Sequence, residues 1–315
     1  SHISMITGLM PSQHGVHERK GKETGVEHGK IARLKMHKYN RGIIGELEKL
    51  GYHTAIIAAN PILSPYFGFT AKTHYVVAPF KPEIDVDKST LDKVKFMVKN
   101  KDFKMLYKKA MIYLRFILFG PTDKGGNKIL HYVPRVTSRS PYMLLINIME
   151  AHEPYTRIWN KAKIINMYID TILNGKCPDK AYKLVKPYNK FADRAAKIAI
   201  KIASHLIDQN TLIIITSDHG QGLCDPGFLH GYWLYDGLVK VPLWVKYPKG
   251  VNPPPQRRKY ISLTEIPALI RYVVTGENTQ LGANDACSES FGIGVFTPRE
   301  LPATIYEPRK NCLKE

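Results

Sequence analysis

The chain has 315 residues, 44% of them apolar and 10% aromatic, which excludes a disordered protein and leaves room for one large α/β domain or two small ones. Its formal charge of +19 is spread along the whole length, which suits an anionic substrate, an anionic membrane face or an adapted Lys-rich surface. The absence of a basic block with interleaved aromatics argues against nucleic acid as a partner, and no apolar run reaches the ~18 residues of a membrane span.

In chain order, residues 1–10 read as a short helix with Ile3 and Ile6 on one face, stopped by Gly8 and Pro11. Residues 17–40 are polar and basic, a surface excursion. Gly42 to Gly51 reads as an amphipathic helix with a glycine stop, and it feeds a buried strand over 52–60, half of a βαβ unit. Pro61 to Phe69 is a loop and Thr73 to Ala78 a short strand. Residues 81–140 suggest a helical insertion or cap, within which Met105 to Phe119 reads as an amphipathic helix. Tyr142 to Met149 is a second buried strand, ending in the polar cluster Glu150-Ala-His-Glu-Pro-Tyr155.

Residues 156–185 read as a second basic excursion. A long amphipathic helix over 187–209 follows, with Phe191, Ala195, Ile198, Ile202 and Leu206 at helical spacing. It leads into Leu212 to Thr216, a run that predicts a strand buried on both faces of a parallel sheet. Asp218, His219 and Gly220 close that strand. A carboxylate and an imidazole at the carboxyl end of a buried strand stand where open α/β sheets place ligands, and both ligate divalent metals. A strand near 239–248, a loop at Pro253 to Arg258, a helix over 261–274 and an irregular end complete the chain. The four cysteines, Cys177, Cys224, Cys287 and Cys312, lack C-x-x-C spacing, which argues against a zinc ribbon or a disulfide framework and favours a reducing, cytoplasmic compartment.

The order of motifs resembles the sulfatase branch of the alkaline phosphatase superfamily. Ser1-His2, Thr7-Gly8, Pro11 and His14-Gly15 follow the register around that family's nucleophile. Leu50 to Ala55, Asn60-Pro61, Gly68-Phe69, the His-x-Pro-Tyr of His152 to Tyr155, and Tyr188-Asn189 come next. Thr216-Ser-Asp-His-Gly220 matches the metal motif, followed by His230-Gly, Leu234-Tyr-Asp236, Val241-Pro-Leu243 and Ser262 to Pro267.

The resemblance implies a doubly wound, mostly parallel α/β core flanked by helices over residues 1–292, with 293–315 as a tail. It implies a sulfuric ester hydrolase acting on an anionic sulfate or phosphate ester. A phosphatase, phosphodiesterase or phosphoethanolamine-type transferase is the alternative within the class, and a non-catalytic anion or nucleic-acid binder the alternative outside it. Carried over, Asp218 and His219 are metal ligands, and His2, His152 and His230 are catalytic partners of the ester oxygens or leaving group. The cation expected first is calcium, with zinc, manganese or magnesium also fitting. In the family register the nucleophile precedes Ser1 by three positions, and the first strand with its acidic ligands lies further upstream. The chain as given is therefore expected to lack catalysis.

Overall fold

The burial of β1 (His53–Ala58) organises the larger half of the molecule: Thr54 to Ala58 are all shielded from solvent. A computed structural model describes residues 1–16, 41–77, 123–153, 155, 161–208, 210–282, 285–291 and 302–313, with isolated positions at 98–99, 103–104, 107 and 111. The 17–40 excursion and most of the 81–122 stretch, including nearly all of Met105 to Phe119, lie outside the described residues.

β1 is flanked by two parallel neighbours, β2 (Thr73–Val76) and β3 (Tyr142–Asn147), in the order β2-β1-β3. Ala55 sets the register, lying opposite Thr73 on one side and Leu144 on the other. Strand periodicity sends alternate side chains to opposite faces. Ile56 and Ala58 pack with Ile6 and with Ile43, Ile44 and Leu47 of helix Ile43–Lys49. Ala55 and Ile57 pack with Ile129, Val133 and Val136 of helix Gly126–Thr137 and with Ile198 and Ile202 of helix Tyr188–Leu206. Helices thus cover both faces of a small parallel sheet, a mixed α/β arrangement. Helix Gly126–Thr137, inside the stretch expected to be an insertion, is part of this core. On the opposite side of the sheet, Arg271 of helix Ile266–Thr275 forks onto Glu46 of helix Ile43–Lys49 at 2.7 and 2.8 Å.

The run ending at Asp218 departs from its expectation. It forms β4 (Ile213–Thr216), half-buried along its length, and pairs antiparallel with β7 (Leu243–Lys246) instead of joining a parallel sheet. The connection between them carries the hairpin of β5 (Gly222–Leu223) with β6 (Phe228–Leu229) and the short helix Asp236–Val239. Among the described residues β4 belongs to a separate two-stranded sheet.

The basic excursion expected over 156–185 is helical from Lys161 on. Helices Lys161–Asn174 and Asp179–Val185 build a third core, in which Ile164, Tyr168, Ile169 and Val185 pack against Phe228 and Leu229. At the carboxyl end, β8 (Cys287–Ser290) pairs antiparallel with β9 (Arg309–Cys312), so residues 309–312 fold back onto the body. The cysteine expectation fails: Cys177 joins Cys224 and Cys287 joins Cys312, leaving no free cysteine. Spacing along the chain is blind to such pairs, because these partners are 47 and 25 residues apart, and the argument from spacing to a reducing compartment falls with it. Among the described residues no helix is long and apolar enough to cross a membrane.

Candidate metal and anion site

β3 and β4 both end at one cluster of imidazoles and carboxylates. Helix His2–Thr7 brings the first member: Ile6 is buried under β1, and the chain leaves the helix through Gly8 in the left-handed region. His2 then bridges the two strand ends, with Nε2 3.3 Å from the Asn147 amide and Nδ1 3.6 Å from Asp218 Oδ2. The Asn147 amide oxygen accepts the Asn60 N–H at 3.0 Å, so its NH2 faces His2. That makes His2 Nε2 the acceptor and leaves the proton on Nδ1, turned to Asp218. Burial drives the His2 pKa down to about 4, with Asp218 opposing the shift, so the ring is neutral at pH 7. Burial also raises the Asp218 carboxyl, yet His2 and His219 beside it hold it below its ordinary value.

His219 and His230 stack at 4.2 Å between centroids, and His152 meets His230 edge-on at 5.2 Å. Each of these three rings has its Nδ1 against an oxygen: Gly220 O at 2.8 Å for His219, Glu153 O at 2.9 Å for His152, and Gln221 Oε1 at 2.9 Å for His230. Donation from Nδ1 leaves the Nε2 lone pair exposed on every ring, the tautomer in which histidine ligates a metal through Nε2. His219 Nε2 lies 3.6 Å from Asp218 Oδ2. Burial takes the His230 pKa down to about 4, keeping that ring neutral as well.

Glu153 completes the set. Its Oε2 lies 3.4 Å from His152 Nδ1 and 3.7 Å from His230 Nδ1, and it is buried without a hydrogen-bond donor. The ligand atoms of His152, Glu153 and His230 all fall within 4.8 Å of one another. Two imidazoles and an orphaned carboxylate oxygen form a cluster that can chelate a metal ion.

The support around the cluster is as specific as the cluster. Gly220 donates its N–H to Leu238 O at 2.8 Å, and a Cβ there would run into the Gly237 carbonyl oxygen, so only glycine fits beside His219. Tyr168 donates to the His230 carbonyl at 2.6 Å. Lys124 Nζ donates to the carbonyls of Glu150, at 3.2 Å, and of His152, clamping the turn that carries His152 and Glu153. Burial lowers that ammonium's pKa to about 8.

The structure therefore gathers all five residues singled out from the sequence: His2, His152, Asp218, His219 and His230. Sequence reasoning passed over Glu153, Gln221 and Lys124. Glu153 had a signal, since it adjoins His152 after a core strand; Gln221 and Lys124 are placed only by tertiary contact. Ser4 lies 3.2 Å from His14 Nε2, an arrangement resembling an activated hydroxyl. Val16, however, donates its N–H to His14 Nδ1 at 3.0 Å, which puts the proton on Nε2 and makes Ser4 an acceptor, not a nucleophile. His14, buried and bonded on both ring nitrogens, is structural.

Asp218, His219 and His230 line a cleft of about 510 Å³, within the range of small-molecule sites. Compared with known proteins, the chain matches no family model and no curated protein at a significant level.

Proposed function

We propose that the cluster at the ends of β3 and β4 is the metal-binding and anion-binding half of an ester-hydrolysis site, acting on a sulfate or phosphate ester. The observation that carries this reading is the buried, orphaned Glu153 oxygen facing two histidines, beside Asp218 and His219 on an open cleft. The motif order in the sequence agrees, and it would make the core a member of the doubly wound sulfatase-like group.

The donors are three imidazoles and two carboxylates. That set suits zinc or manganese better than calcium, which takes about 6–8 oxygen ligands. A divalent cation held by His152, Glu153 and His230, with Asp218 and His219 beside it, would supply Lewis-acid stabilisation of charge on the ester oxygens. The chain's own residues do the rest. His2, neutral and protonated on Nδ1, presents a donor beside Asp218 where an ester oxygen would sit. Gln221 and the Glu153 and Gly220 carbonyls fix the ring tautomers, and Lys124 holds the His152 turn in place.

Titration calorimetry with zinc and with manganese tests the reading. Wild type is expected to bind at least one cation per chain, and His230→Ala or Asp218→Ala to weaken binding by about tenfold or more. Wild type that takes up neither ion would overturn it. With the cation bound, relative affinity for inorganic sulfate and inorganic phosphate separates the two ester classes.

A further inference from the structure

The cleft carries a second concentration of charge that the ester chemistry does not use. The chain from His230 to Lys240 contributes to its wall, with Trp233 and Leu234 among the residues on the way, and Lys259 and Tyr260 line the same cavity. The Tyr260 ring gathers two ammonium groups, Lys240 Nζ at 5.1 Å and Lys259 Nζ at 5.6 Å from its centroid. Lys240 is paired with Asp236 at 2.6 Å; among the described residues no carboxylate pairs with Lys259. Glu289, an acidic residue of the same lining, is already engaged, its two oxygens accepting the Ser12 N–H at 2.8 Å and hydroxyl at 2.9 Å. Two cations drawn to one ring repel each other, and an anion placed between them relieves that repulsion.

We infer that Lys240, Lys259 and Tyr260 form a second anion subsite, and that the ligand of this cleft carries two anionic groups on one ring-sized frame. The first is the ester at the histidine cluster, an assignment that rests on the proposed function. The second is a sulfate, phosphate or carboxylate held by the two lysines. A cavity of about 510 Å³ accommodates a frame of that size. The two lysines select for the doubly charged ligand over the singly charged one, since only the former brings an anion to Lys259, which has no carboxylate partner among the described residues.

Calorimetry on the full chain at low ionic strength, with naphthalene disulfonate and naphthalene monosulfonate as probes, tests the subsite. Wild type is expected to bind the disulfonate about five- to tenfold more tightly, the worth of one charge-assisted contact. Lys240→Ala combined with Lys259→Ala should erase the preference and leave monosulfonate binding unchanged, while Lys259→Arg should keep it. Both lysines are exposed, so unfolding of the double variant, checked by circular dichroism, is not expected. Equal affinities in wild type, or a preference that survives the double substitution, would overturn the subsite. Zinc titration of wild type keeps the two readings apart. Normal zinc binding without a disulfonate preference removes the subsite alone. A disulfonate preference without zinc binding removes the metal reading and supports the subsite.

Discussion

Single atoms decide the site. Glu153 Oε2, buried and without a donor, would cost about 1–3 kcal/mol if nothing compensated it, and a cation that Glu153 ligates removes that cost. Asp218 and His219 were legible in the sequence because they punctuate a strand; the hydrogen bonds that set their tautomers were not, since they depend on backbone carbonyls and on Gln221. Away from the cluster, His74 makes a comparable and independent statement. It donates from Nε2 to the Leu63 carbonyl at 2.7 Å, its Nδ1 is buried without a partner, and burial lowers its pKa. The folded chain therefore holds His74 neutral where the unfolded chain takes a proton. Stability present above the ordinary histidine pKa of ~6.5 is then lost as pH falls toward the lowered folded value. Urea melts between neutral pH and the carboxylate range should show this acid-side loss, shallower in His74→Gln. An identical pH slope in both proteins would remove the claim.

At the scale of elements, legibility followed burial geometry. β1 and its preceding helix were readable because five successive shielded residues and a glycine stop leave one interpretation. Helices Lys161–Asn174 and Asp179–Val185 were not, because their lysines mask the stripe of Ile164, Tyr168 and Ile169 that Phe228 covers from a distant hairpin. The pairing of β4 was misread for the related reason that an apolar run does not name its neighbour. Helix Gly126–Thr137 shows how closely an element can be fitted. Its Gly126 N–H donates to Glu150 Oε1 at 2.8 Å, and a Cβ on Gly126 would sit 2.6 Å from that same oxygen. Gly126→Ala should therefore destabilise the fold by about 1–3 kcal/mol, against the gain an alanine ordinarily brings to a helix. Thermal unfolding checks the sign; a stabilised variant would show that the Glu150 contact is loose.

Across the whole molecule, two disulfides tie the hairpin and the carboxyl end to the body. Cys177–Cys224 closes a 47-residue separation between the Asp179–Val185 helix region and the loop that leads to His230. Loop-closure entropy gives such a link about 2–4 kcal/mol. Mild reductant, or Cys177→Ser, should lower the unfolding midpoint accordingly, and an unchanged midpoint would place both cysteines outside any stabilising bond. The charge of +19 was legible from composition, but its use was not, because only the fold brings Lys240 and Lys259 to the cleft that holds the histidines. The most direct test of the cation site is anomalous X-ray diffraction at the zinc edge from zinc-soaked crystals. The account predicts a peak bounded by His152, Glu153 and His230 beside Asp218 and His219; zinc found only at surface histidines, with that cluster empty, would contradict it.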